Sequence, residues 1–116
     1  MPLILVDYSS DLDFDHQGFA KELHPLITEV IDATVADCKT VFRPAAQYTV
    51  GDGGPDAGAV VLVQIKLLEG RSVERRAELT TRIAALLQRY LSVPAALAVE
   101  ITELERATYR VLGRTG

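Results

Sequence analysis

Ala59-Val60-Val61-Leu62-Val63-Gln64-Ile65-Lys66-Leu67-Leu68, followed by Glu69-Gly70-Arg71-Ser72 and then by the run from Val73 to Leu91, decides how this chain folds. The first ten residues are rich in β-branched and apolar side chains, as a buried strand requires. Gly70-Arg71-Ser72 reads as a turn. Beyond it the apolar period lengthens, with Leu79, Ile83, Leu86, Leu87 and Tyr90 recurring at three- and four-residue steps, the stripe of an amphipathic helix. Ser72 stands where an N-cap belongs, and Glu74 favours the positive helix end. Pro94 then closes the connection, and residues 96–104 read as a second strand.

Working outward, Gly51-Asp52-Gly53-Gly54-Pro55-Asp56 punctuates the middle of the chain, and the same programme precedes it. Leu3-Ile4-Leu5-Val6 answers Leu62-Val63-Gln64-Ile65 and stops at Ser9-Ser10-Asp11. Phe19, Leu23, Leu26, Ile27 and Val30 predict a helix over about residues 15–31. Pro25 inside that stripe predicts a kink, or a regular part starting near His24. Residues 39–50 read as a strand in which Pro44 marks an edge or a bulge. In the tail, Tyr109-Arg110-Val111 reads as a short added strand. The expectation is one α+β domain made of two β-α-β halves, about residues 1–50 and 57–116. Strands apolar on both faces call for helices on one side and another subunit or sheet on the other.

With 116 residues, 48% of them hydrophobic, the chain has ample material for one core. Its apolar runs fall short of the roughly 18 residues of a membrane span, and no basic region like that of a signal peptide opens it. A soluble cytoplasmic protein is expected. Sixteen acidic against twelve basic residues give a net charge of −4, so neither nucleic acid nor a membrane surface is an expected partner. The single Cys38 excludes an internal disulfide and reads as a small buried hydrophobe.

Two constellations bear on chemistry. Pro2 follows the initiator methionine directly, a placement whose ordinary meaning is only efficient methionine removal, and loss of Met1 frees a secondary amine at the end of a buried strand. An α-amine titrates near about 8, and burial or neighbouring cations lower this, giving a general base or nucleophile. The second is the turn at Glu69-Gly70-Arg71-Ser72, where backbone N–H groups, the helix dipole and Arg71 together suit a carboxylate. A capped turn with a solvated arginine explains the same residues. Arg76, on the apolar face one turn into the helix, either reinforces that site or snorkels to a partner.

Other patterns carry less. Asp11, Asp13, Asp15 and Glu22 fall at calcium-loop positions 1, 3, 5 and 12, but His16 occupies the place of the required glycine. His16 and His24 lack metal-ligand spacing on a helix, and Gly51–Gly54 lacks the lysine of a phosphate loop. No metal or cofactor is expected.

Pro2 behind Met1, the tandem β-α-β pattern and Ile65-Lys66-Leu67-Leu68-Glu69-Gly70-Arg71-Ser72 together resemble the tautomerase superfamily, most of all the 5-carboxymethyl-2-hydroxymuconate isomerase family. The second half is also similar to 4-oxalocrotonate tautomerase. The resemblance implies a four-stranded sheet with two helices on one face, assembled as a homotrimer. It implies a cofactor-free step in which the amino-terminal proline moves a proton between the 2-hydroxydienoate and 2-oxoenoate forms of a small unsaturated acid. By the same resemblance Pro2 is the base, Arg71 engages a substrate carboxylate, and Tyr109 falls where an aromatic residue neighbours the base. The isomerase family's arginine pair is not reproduced around Lys39-Thr40-Val41-Phe42-Arg43: Lys39 fits one position, Val41 replaces the other, and Arg43 stands two residues along the same strand face as its substitute. Ala98-Val99 replaces a further arginine of 4-oxalocrotonate tautomerase. Competing expectations are a non-catalytic assembly module on the same fold, and a dehalogenase, hydratase or decarboxylase relative in which a protonated Pro2 acts as an acid.

Overall fold

Alternation along the central strand sorts its side chains onto two faces, and everything else packs against one of them. The computed structural model describes residues 1–114. In chain order it holds β1 (Leu3–Ser9), α1 (His16–Val30), β2 (Lys39–Ala45), β3 (Ala59–Leu68), α2 (Val73–Arg89) and β4 (Ala95–Leu104), with single-turn 3-10 helices at Val35–Asp37 and Arg106–Thr108. The strands form one mixed sheet in the order β2-β1-β3-β4. β1 and β2 are parallel, as are β3 and β4, each pair bridged by its helix. β1 and β3 are antiparallel and join the two units through the middle of the sheet.

Ile4, Val6 and Tyr8 of β1 and Val61, Val63, Ile65 and Leu67 of β3 point to the helices and are buried. They meet Phe19, Leu23, Ile27 and Val30 of α1 and Leu79, Ile83, Leu86 and Leu87 of α2 in one core. Each large side chain so buried contributes about 1.5–3 kcal/mol. Both helices are capped at their N-termini, α2 by the Ser72 expected there and α1 by Asp15, which was not singled out as a cap. The Asp15 carboxylate accepts from the Gly18 N–H at 3.0 Å and the Ser72 hydroxyl from the Arg75 N–H at 3.2 Å.

Three local expectations are corrected. Of the two outcomes expected of Pro25, a regular part starting near His24 is not found: α1 runs unbroken from His16 through Pro25. The proline deprives the Lys21 carbonyl of its helical donor, but both residues are exposed, so the loss falls where solvent is accessible. β2 ends at Ala45, not near residue 50, because β1, its only partner strand among the described residues, ends at Ser9 in register with Ala45. The strand expected at Tyr109-Arg110-Val111 is absent: a 3-10 turn at Arg106–Thr108 follows β4, and among the described residues no neighbouring strand offers these residues a ladder.

The second face of the sheet is uncovered. Leu3, Leu5, Val41, Val60, Leu62, Ala96 and Ala98 share it with Lys39, Arg43, Asp7, Gln64 and Glu100, as the register and alternation require. Val41 and Leu62 are each 46% exposed there, more than strand centres of this kind retain when a layer covers them. Among the described residues no helix is long and apolar enough to cross a membrane.

Two outcomes follow from this packing. Ile83→Ala, which empties a site in the shared core, lowers unfolding free energy by about 3 kcal/mol in urea titration. Burial lowers the pKa of the His24 imidazole, whose Nε2 lies 2.8 Å from the Thr40 hydroxyl. The unfolded chain therefore binds this proton more readily, and its contribution to stability is lost as pH falls below about 6.5. His24→Gln flattens that part of the profile of urea midpoint against pH.

Candidate active site

Antiparallel pairing of β1 with β3 brings the start of one strand to the end of the other. Leu3 lies opposite Lys66, so one further residue sets Pro2 alongside Leu67, and the Pro2 carbonyl accepts from the Lys39 N–H at 3.2 Å. Pro2 is buried. Just past β3, Gly70 turns the chain with a φ of 122°, a value that side chains disfavour, and delivers Arg71 and Ser72 to the start of α2. The end of α1 arrives at the same edge.

There a hollow of about 420 Å³ is lined by Asp32, Leu68, Glu69, Gly70, Arg71, Ser72, Arg75 and Arg106. The Arg71 guanidinium donates to the Leu68 carbonyl at 3.1 Å and to the Asp32 carbonyl at 2.9 Å. Arg75 donates to the Val30 carbonyl at 3.1 Å. Two arginines thus satisfy carbonyls at and just beyond the C-terminal end of α1, which otherwise lack partners, and they stand at the negative end of its dipole. These bonds hold the guanidinium groups without neutralising them, and each keeps further N–H donors.

The charge balance sets this hollow apart. Arg43, Arg76, Arg82 and Arg89 all form ion pairs, with Asp7, Glu103, Glu29 and Glu78, and Glu22 respectively. Among the described residues no acid comes within 4.0 Å of the guanidinium nitrogens of Arg71, Arg75 or Arg106. Three arginines without an ion-pair partner converge on one concavity that Asp32 and Glu69 also line, and their excess of charge and open donors suits an anion.

The other candidate residues lie around this centre in different ways. Arg76 does not line the hollow; it reaches Glu103 at 3.5 Å and donates to the Arg71 carbonyl at 3.3 Å, so it braces the turn. Lys39 begins β2 beside Leu3, its ammonium on the Asp37 carbonyl at 3.0 Å. Arg43 shares its strand face but stands four residues further, roughly 13 Å along the strand. There it is held by Asp7 through two bonds of 2.9 and 2.8 Å. Tyr109 is half-buried just after the 3-10 turn that carries Arg106, outside the lining of the hollow. Cys38 is buried, which pushes its thiol pKa up, away from a reactive thiolate. Asp11 accepts the Tyr48 hydroxyl and Asp15 caps α1, and among the described residues no group of three or more His, Cys, Asp or Glu side chains is poised for a metal.

Arg75 and Arg106 were not anticipated as members of this site. Arg75 was within reach of sequence reasoning, since it lies one helical turn beyond Arg71. Arg106 was not, because only the pairing of β3 with β4 brings it 35 positions back along the chain to Arg71.

No protein-family model matches the chain, and no curated protein does. Solved structures do match. A 5-carboxymethyl-2-hydroxymuconate isomerase from Deinococcus radiodurans R1 superposes with a TM-score of 0.85 at 18% identity, over 97% of this chain and 90% of that one. A 5-carboxymethyl-2-hydroxymuconate delta-isomerase gives 0.76 at 20% identity over 100% and 89%. A malonate semialdehyde decarboxylase, FG41, gives 0.72 at 18% over 97% and 91%. The chain has the fold of the tautomerase superfamily.

Arg71→Ala, by removing two bonds to carbonyls at this edge, lowers stability by about 1–2 kcal/mol in urea titration. An unchanged midpoint and slope would show that the guanidinium does not hold the edge together.

Proposed function

We infer that this protein is a cofactor-independent isomerase that interconverts the enol (2-hydroxydienoate) and keto (2-oxoenoate) forms of a small unsaturated carboxylic acid. The observation that carries the reading is the convergence of Arg71, Arg75 and Arg106, none of them ion-paired among the described residues, on the edge of the sheet where Pro2 leads into β1. The fold shared with the isomerases named above supports it.

In this reading Met1 is removed and the Pro2 nitrogen becomes a neutral secondary amine. It takes the proton from the 2-hydroxyl of the dienol as the carbonyl forms, and a proton is returned to a carbon of the conjugated chain, so the reaction is balanced with no other reactant. Arg71 holds the carboxylate, and its charge offsets that developing on the dienolate oxygen. Lys39, at the start of β2 beside Pro2, adds positive charge on the same edge. Arg43, occupied by Asp7, acts in this scheme only if a substrate displaces that carboxylate.

The working unit in this proposal is a homotrimer. The uncovered sheet face, with Leu5, Val41 and Leu62 at its centre, is what a second copy would cover. A fused 4-OT solved as a symmetric trimer shares the fold, with a TM-score of 0.77.

One observation favours a second reading, a non-catalytic assembly module: Pro2 is buried and is not among the residues lining the hollow. Ketonisation of phenylenolpyruvate and of 2-hydroxymuconate, followed by ultraviolet absorbance, separates the two. The isomerase reading predicts turnover that Pro2→Ala reduces by at least about a hundredfold, and equal rates for the two proteins would sink it. Light scattering at micromolar concentration should give three times the chain mass, and Leu62→Glu should shift it toward one; a wild-type monomer would contradict the assembly.

A further inference from the structure

Glu69 and Arg106 together line both the hollow described above and a second one of about 690 Å³ beside it, shared with Glu103, Leu104, Glu105 and Ala107. An acid and an arginine so placed would ordinarily pair with each other. They do not. The Glu69 carboxylate accepts from the Arg106 main-chain N–H at 2.8 Å, and the Arg106 guanidinium reaches only the Glu69 carbonyl, at 3.5 Å. Beside these, the Glu69 N–H donates to the Leu104 carbonyl at 3.0 Å, extending the β3–β4 ladder by one bond.

We propose that Arg106 is a second anion-binding side chain of this site and that Glu69 is its positioning residue. The proposal rests on reading the hollow as the substrate site. A three-residue 3-10 turn has little stability of its own, and its first N–H groups have no internal partners. By taking the Arg106 N–H, Glu69 anchors the start of Arg106–Thr108 to the end of β3, two residues from Arg71. The carboxylate is engaged by the main chain and is not ion-paired with the Arg106 guanidinium, whose donors stay open to a ligand. The ligand class is an organic acid whose anionic groups are spaced to meet Arg71 and Arg106 together. Glu69 thus acts through geometry, as a hydrogen-bond acceptor, and its negative charge is not what is needed.

Isothermal titration calorimetry of the purified full-length protein with muconate, a conjugated acid with two carboxylates, tests this. Arg106→Ala and Glu69→Ala should each weaken binding about tenfold, while Glu69→Gln, whose amide oxygen still accepts, stays within about twofold of wild type. In turnover, Arg106→Ala and Glu69→Ala raise KM by more than they lower kcat. Glu69→Gln binding as poorly as Glu69→Ala would overturn the positioning role. Loss of binding in Arg71→Ala with none in Arg106→Ala would overturn this inference and leave the proposed function standing. A wild-type protein that binds no muconate would overturn both. Circular dichroism of each variant separates a local loss from unfolding, with Arg106→Lys as the milder substitution expected to retain part of the affinity.

Discussion

The antiparallel pairing of β1 with β3 is the constraint on which the rest depends. Each β-α-β unit alone has one parallel strand pair and one helix, too little to bury either face of its strands. Joined through β1 and β3, the two units share one core, and α1 and α2 lie side by side over it. The same pairing reverses one unit relative to the other, so the start of β1, the end of β3, the start of α2 and the end of α1 meet at one edge. The candidate site lies at that edge. Arg71 and Arg75 cap the end of α1 there, and the structural need for donors at a helix end leaves cationic groups facing solvent.

The opposite edge of the sheet, where β1 ends and β3 begins, is furnished differently. The first unit leaves β1 through Ser9-Ser10-Asp11 and enters α1 behind Asp15, with no arginine in the connection. Ser9, fully buried, exchanges hydrogen bonds with the main chain of Val60 and ties the two central strands together. Asp11 accepts the Tyr48 hydroxyl. One edge therefore carries side chains fixed mainly by one another, and the other carries three arginines that, among the described residues, are not ion-paired although Asp32 and Glu69 line the same hollow. Two units of the same topology have been put to different uses by the residues in one short turn.

Strands, helices and caps were largely legible in the chain, because periodicity, Ser72 and the Gly70 turn are local signals. Residues 59–68 are a strand from first to last, and the α2 stripe is buried at Leu79, Ile83, Leu86 and Leu87. Misreadings arose where a partner element decides. Residues 46–50 have strand-like composition but outlast β1, and Tyr109-Arg110-Val111 alternates without a neighbour to pair with. Pro25 is tolerated because solvent reaches the carbonyl it orphans. Of the site, Arg71 was visible in its turn. The ion-paired state of Arg43 and Arg76, the approach of Arg106 and the acceptor role of Glu69 all depend on which strands lie side by side, and no local pattern records that.

The central claim of the proposed function is chemical: once Met1 is removed, the nitrogen of Pro2, just before β1, is a neutral amine at the edge that carries the arginine hollow. A ¹⁵N NMR titration of protein labelled in proline reads that nitrogen directly. The account predicts that Pro2 gives a titrating secondary-amine signal, with a midpoint below the ordinary α-amine value of about 8. A midpoint above that value would contradict it, and so would a Pro2 nitrogen that does not titrate because Met1 still holds it as an amide.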